Sequence, residues 1–266
     1  MMGRLMILLC WLSVCVCRAE HAVYTRTAPK PSGGIISLFG GDTQRLEVYH
    51  FKAADTALCV VDEGDGSPRY GSLEEAMRRH KCSAGINGGY FGADAARKPI
   101  GLVRHGGFSV SPLSTGGFTV AGVVYDTGQT IRLERSSRLS VSVRAMHEAI
   151  QGGPFLVEPG RVVPGLEKTR KASRTFIATD GAGNWCLAVS SPLTLHELAE
   201  WLAQKGCMGH FRVHTALNLD GGSSCAFWEA ASGVNRPGLK AVRNYVGVRP
   251  RALSAGGAAG STAPAR

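Results

Sequence analysis

The chain has 266 residues and a formal charge of +10, with 30 Lys and Arg against 20 Asp and Glu. That length supports one sizeable hydrophobic core, and the 35 glycines, nearly twice the usual share of roughly 7%, point to many strands and tight turns. The basic residues are scattered singly or in pairs such as Arg78-Arg79, without aromatic interleaving, so nucleic acid is not an expected partner and general attraction to anionic substrates is.

At the N-terminus Arg4 precedes an apolar run over residues 5–16, too short to favour a spanning helix. Cys17-Arg18-Ala19 then offers the small residues that a signal peptidase reads. The expectation is a signal peptide over 1–19, cleaved near Ala19 with Ala22 as the alternative. The mature chain would be periplasmic or secreted, without stable membrane insertion. Val precedes both Cys15 and Cys17, which argues against a lipid anchor. Five cysteines remain after cleavage: Cys59, Cys82, Cys186, Cys207 and Cys225. Sequence leaves their pairing open, and the pairs that bracket a strand–helix unit, Cys59–Cys82 and Cys186–Cys207, are the expected bridges. No spacing fits a zinc site, so no metal or other cofactor is expected.

Residues 20–44 read as an N-terminal arm with weak alternation over 23–38, and strands are expected at 46–51 and 57–61. Ser72-Leu73-Glu74-Glu75 is a capping box that opens a helix near 72–80. Short strands follow at 82–86, 100–103, 108–110, 118–125 and 131–133, separated by turn residues. Residues 149–157 form a strand, a Gly-Gly break and a second strand. Strands 175–179 and 185–189 flank an Asp-Gly turn. Thr194-Leu195-His196-Glu197 is a second capping box, opening a helix near 194–205 that Gly206 stops. A strand over 213–220 comes next, and the Gly, Ala, Ser and Pro of 251–266 read as a disordered tail. The pattern implies one α+β domain over 45–250, with strand-rich mixed sheets and a few helices.

The segment from Ala216 to Ser224, ALNLDGGSS, carries the chemistry. Alternation on a strand sends Leu217 and Leu219 to a core and leaves Asn218 and Asp220 together at the strand's end. Gly221 and Gly222 permit positive φ and a turn whose N–H groups can bind an anion, although a plain Asp-Gly hairpin has the same composition. Asn87-Gly88-Gly89 and Gln151-Gly152-Gly153 are built alike: an apolar strand, a polar amide, two glycines. Three such strand ends would converge on one pocket, with backbone donors facing a ligand.

These motifs, together with Tyr90-Phe91, Pro99-Ile100-Gly101-Leu102-Val103, Pro154-Phe155-Leu156-Val157 and Arg174-Thr175, stand in the order and spacing of the phosphodiester glycosidase family, which the chain resembles over residues 45–248. The family pattern often has a third glycine where this chain has Ser223. The resemblance implies hydrolysis of a sugar-1-phosphodiester at the anomeric C–O bond, of N-acetylglucosamine type or from an envelope polymer. On that footing Asp220 serves at C1 as nucleophile or as base for water, and Arg174 offers a planar fork to the phosphate. Asn87 and Asn218 bind sugar hydroxyls or position water, Tyr90 or Phe91 stacks on a sugar face, and Thr175 and Ser223 or Ser224 donate to phosphate oxygens. Gly88, Gly89, Gly152, Gly153, Gly221 and Gly222 supply close backbone approach. Glu148 and Asp94 are weak candidates for a second acid, and a divalent cation on Asp220 and Asn218 is a lesser alternative. The competing classes are a non-catalytic sugar-phosphate or wall-polymer binder on the same fold, and a phosphodiesterase cutting P–O.

Overall fold

The computed structural model describes residues 19–27 and 43–252. The expected signal segment up to residue 18, the arm over 28–42 and the tail from 253 lie outside the described residues. The chain begins with β1 (Glu20–Thr27), β2 (Thr43–Lys52) and β3 (Thr56–Asp62), then α1 (Leu73–Arg79). Next come β4 (Ala84–Asn87), β5 (Val103–His105), β6 (Phe108–Ser111), β7 (Gly122–Asp126), β8 (Ile131–Arg135), β9 (Glu148–Gly152) and β10 (Phe155–Val157). The last elements are β11 (Thr175–Thr179), β12 (Asn184–Ser190), α2 (Leu195–Ala203), β13 (Thr215–Asn218), β14 (Phe227–Glu229), β15 (Asn235–Arg236) and β16 (Asn244–Pro250).

Three antiparallel sheets result, ordered β1-β2-β12-β11-β13-β10, β15-β14-β4-β16-β3 and β6-β5-β9-β7-β8. This is the strand-rich α+β architecture that the sequence implies. A central core draws on all three sheets, with Phe51, Leu187 and Leu217 meeting Ile86, Val246, Val124 and Ile150. The other face of the first sheet is covered by α2, whose Leu198, Trp201 and Leu202 pack on Val48, Phe176 and Ala216. Met77 of α1 presses on the second sheet where Gly85 and Gly247 leave the backbone bare. A Cβ at either glycine would stand 2.2 or 2.4 Å from its sulfur.

Both helix starts follow their capping signals. Ser72 Oγ accepts from Glu75 N, while Glu75 itself reaches back to Gly71 N, and Thr194 and Glu197 exchange both bonds of the box. Gln204 caps α2, so Gly206, with φ +76°, lies two residues past the cap rather than next to it. The strand expected over 118–125 starts only at Gly122, because Phe118–Val120 form a 3-10 turn. Gln151 explains that turn: its buried amide donates to Ser114 O and Val120 O and accepts from Leu102 N, stapling the loops over β9.

Glu148 and Asp126 join two sheets. Edge strand β3 would leave N–H groups unpaired, and Asp126 of β7 accepts from Leu58 N at 3.0 Å while Glu148 of β9 accepts from Val60 N at 3.1 Å. Glu148 therefore has a structural task. It also stands four residues up β9 from Gly152, roughly 13 Å at strand rise.

All five cysteines in the described residues are thiols, so neither expected bridge is formed in this structure. Cys82 Sγ fills the space of the missing Gly247 side chain, 2.7 Å from where its Cβ would be, and Cys59 is the cross-strand neighbour of Gly247. No helix among the described residues is long and apolar enough to cross a membrane.

Candidate active site

Strand β13 delivers Asp220 as its alternation predicts. Leu217 and Leu219 are in the central core, Ala216 lies under α2, and Asn218 shares the face of Ala216. The ladder expected to run to 220 ends at Asn218. Leu219 N still donates to Thr175 O at 2.8 Å, whereas Asp220 N turns to Gly88 O at 3.1 Å. Asp220 is thus handed from the first sheet to the turn after β4 in the second.

The β11–β13 register pairs Phe176 with Asn218. One alternate pair further on, Asp220 falls opposite Arg174, on the face that carries Phe176. Consistently, a Cβ at Gly221 would lie 3.7 Å from Arg174 Cα. Arg174 is held by Leu193 O on Nε at 2.9 Å and by Arg170 O on Nη2 at 2.7 Å, with Glu167 at 3.7 Å. Two carbonyls fix the plane of its guanidinium.

Asn87 is fully buried and forms the clasp beneath Asp220. Its Nδ2 donates to Asp220 O at 2.7 Å, and its Oδ1 accepts from Thr175 Oγ1 at 2.6 Å and from Ala226 N at 3.1 Å. Asn87 and Thr175, expected to meet the ligand, are spent on internal bonds. Asn218 is likewise buried, its Nδ2 within reach of Tyr90 Oη (2.7 Å), Gly153 O (3.1 Å) and Leu219 O (2.6 Å), while its Oδ1 has no protein partner. Ser224 is buried with its hydroxyl unpaired, and Ser223 is exposed.

Tyr90 Oη donates to Gly153 O at 3.0 Å. Burial pushes its phenol well above the usual range; the charge of Asp220 adds to the rise and Arg174 opposes it. Tyr90 thus stays protonated in working conditions, within electrostatic reach of both groups. Cys225, which the sequence marked only as an odd cysteine, accepts from Thr175 Oγ1 at 3.2 Å. Its thiol is pushed up to about 11, by burial first and by Asp220 in addition.

The three glycine pairs do converge, but for close approach and not as open anion cradles. Gly88 and Gly89 donate their N–H groups to Asn244, and a Cβ at Gly88 would stand 2.0 Å from Asn244 Oδ1. Gly152 abuts Asn218 O, and a Cβ at Gly153 would strike Phe118 O at 2.2 Å. Gly221 N donates to the Asp220 carboxylate at 2.9 Å, and Gly222 N, at φ +63°, to Ser173 O at 2.8 Å. Asn244 and Ser173 carried no signal in the sequence, because Asn244, through its carbonyl and its Oδ1, and Ser173, through its carbonyl, make contacts that exist only in the fold.

Among the described residues, neither expected second acid joins Asp220. Asp94 caps an exposed turn by accepting from Arg97 N. Glu167 is held below the usual carboxylate range by hydrogen bonds from Thr169 and Arg170, so beside Arg174 it is a counter-charge and not a proton donor. Among the described residues no three His, Cys, Asp or Glu side chains are grouped so as to hold a metal ion.

The sequence model of a family described as phosphodiester glycosidase matches residues 80–249. No curated protein sequence matches the chain. Among solved structures, the fold is similar to the catalytic domain of zebrafish N-acetylglucosamine-1-phosphodiester alpha-N-acetylglucosaminidase, auto-inhibited by its pro-peptide. The TM-score is 0.63 at 15% identity, over 86% of this chain and 83% of that one. A hypothetical protein from Synechocystis gives 0.54 at 17% identity, over 86% and 62% of the two chains. A putative exported protein from Burkholderia pseudomallei gives 0.51 at 13%, over 79% and 75%.

Proposed function

The chain belongs to the phosphodiester glycosidase family, and from that premise we propose that it is an exported hydrolase cleaving the anomeric C–O bond of a sugar-1-phosphodiester. The products are a free sugar and a phosphate monoester. The observation that supports this reading is the register of β11 and β13, which continued by one alternate pair brings the Asp220 backbone opposite that of Arg174, whose guanidinium is anchored by two carbonyls. A glycosyl phosphodiester presents two things to such a pair: an anomeric carbon that gains positive charge as its bond to oxygen breaks, and an anionic leaving group. Asp220 faces the first as nucleophile or as base for water, and Arg174 faces the second through charge and hydrogen bonding.

The bridging oxygen leaves with its electron pair on the phosphate, and water supplies the new oxygen at C1. Most glycosidases add a general acid because an alkoxide leaves badly. A phosphate monoester leaves well, which agrees with a site holding one carboxylate. Tyr90 has its hydroxyl engaged by Gly153 O and Asn218 Nδ2, so its part toward the sugar is that of its ring. Export rests on the charged and apolar pattern of residues 1–19 and on the similarity to the Burkholderia protein.

Turnover of an N-acetylglucosaminyl phosphodiester in ¹⁸O-labelled water tests the bond choice. Label on the sugar supports the proposal, and label on phosphate assigns P–O cleavage instead. Binding without turnover makes the protein a silent binder. Asp220→Asn should abolish turnover and leave the urea unfolding midpoint unchanged; a near-normal rate in that variant overturns the role of Asp220.

A further inference from the structure

Six large apolar side chains stand exposed on the described surface: Val23, Ile100, Phe108, Val110, Phe118 and Leu239. Singly such residues mean little. Three of them are attached to the three turns around Asp220. Ile100, 44% exposed, donates its N–H to Tyr90 O at 2.8 Å. Phe118, 50% exposed, is the residue whose carbonyl abuts Gly153. Leu239, 90% exposed, donates its N–H to Ser223 O at 2.8 Å, and Ser223 is three residues from Asp220, at most about 11 Å of chain. Leu239 also borders a cleft of about 440 Å³ with Pro68, Tyr70, Pro237 and Val242.

The remaining three lie elsewhere. Phe108 and Val110 are on β6, and Phe108 pairs with His105, towards the Glu148 end of β9 and away from Gly152. Val23 is on β1 at the edge of the first sheet. Two cations belong to the same turns: Arg174, whose Cα would lie 3.7 Å from a Cβ at Gly221, and Lys240, next in sequence to Leu239, whose Nζ lies 5.0 Å over the Phe91 ring. A fully hydroxylated aglycone could stack on the Phe118 ring but would gain little from the aliphatic Leu239 and Ile100. An aliphatic chain esterified to an anionic phosphate matches both the apolar groups and these charges.

We propose that the rim formed by Ile100, Phe118 and Leu239 binds the apolar aglycone of the substrate, which is then a glycosyl phosphodiester of a long-chain alcohol. This rests on the reading of Asp220 and Arg174 as a sugar-1-phosphodiester site, and it adds the class of the second ester. The reaction balances as before: water enters at C1, and the long-chain alcohol departs still esterified to phosphate.

The test measures binding of methyl and decyl N-acetylglucosaminyl phosphodiesters to the Asp220→Asn protein by calorimetry, below the micellar concentration. Each methylene withdrawn from water is worth roughly a factor of four, so covering two or more should make the decyl ester at least about tenfold tighter. The triple variant Ile100→Ser, Phe118→Ser, Leu239→Ser, in the same background, should lose that preference, while Phe108→Ser keeps it. With Asp220 intact, the triple variant should turn over the methyl ester at the wild-type kcat. Equal affinity for the two esters overturns the proposal, as does a triple variant that keeps the preference or a Phe108→Ser variant that loses it. A wild-type dimer that dissociates in the triple variant makes the rim a self-interface and also overturns it. Turnover of the methyl ester without chain-length preference leaves the hydrolase standing and removes the lipid aglycone. Chain-length preference without any turnover does the reverse.

Discussion

Asn87→Ala separates a clasp from a ligand contact. The side chain is fully buried, and its amide serves the Asp220 carbonyl, the Ala226 N–H and the Thr175 hydroxyl. Alanine leaves the first two without this partner, the Ala226 N–H in the interior and the Asp220 carbonyl at its half-buried edge, while Thr175 keeps an outlet in the Cys225 sulfur at 3.2 Å. An unsatisfied buried group costs about 1–3 kcal/mol, so the pair comes to roughly 2–6 kcal/mol. With a urea m-value of about 2–3 kcal/mol/M, the midpoint should fall by roughly 0.7–3 M. Tryptophan emission can follow the transition, since Trp185, Trp201 and Trp228 all lie in the core. Turnover should fall as well, because Asp220 loses the donor that fixes its backbone. A midpoint within about 0.3 M of wild type, with the loss confined to turnover, would refute the clasp and make Asn87 a substrate contact.

Arg174→Lys keeps the charge but gives up the fork and one of its two carbonyl anchors. KM for a phosphodiester should rise about tenfold, in line with one lost charge-assisted bond, while inhibition by the free sugar stays unchanged; equal effects on both argue against a phosphate role. Gly153→Ala places a methyl against the Phe118 carbonyl, which as backbone yields little. About 1–3 kcal/mol of stability should be lost, together with turnover, since Tyr90 and Asn218 both bond to Gly153 O; unchanged kcat would count against that geometry. Burial brings the His50 imidazole from its ordinary 6.5 to about 4. Between those values the unfolded chain binds a proton that the native state does not, so stability falls as pH drops from 6.5 towards 4, by roughly 3 kcal/mol in full. Urea midpoints at pH 7 and pH 4.5 should therefore differ more in wild type than in His50→Phe, and an identical difference removes His50 as the cause.

The legible parts of this fold were those written within a few residues of one another. Both helices began where Ser72 and Thr194 signalled, since an N-cap needs only the next turn of chain to take effect. The parity of Leu217 and Leu219 assigned a face to Asp220 in the same way. The strand expected over 118–125 failed because its first turn is shaped by Gln151, more than thirty residues away in sequence. What the double glycines do was equally out of reach. Composition permits a glycine pair to cradle an anion or to let two backbones touch, and only the neighbours decide. Asn244 and the Phe118 carbonyl decide for contact.

That outcome alters the chemistry more than the fold. With the N–H groups of Gly88, Gly89, Gly153 and Gly222 engaged by the protein itself, little backbone donation remains for a phosphate. On the proposed reading the burden of neutralising it would fall on side chains, and Arg174, held by Leu193 O and Arg170 O, is the candidate. A site of this kind binds its anion through one rigid fork, so its affinity should depend steeply on Arg174 and only weakly on the serines of the turn. Ser223→Ala is accordingly the variant expected to stay closest to wild type in KM, and a loss as large as that of Arg174→Lys would return the phosphate to the turn.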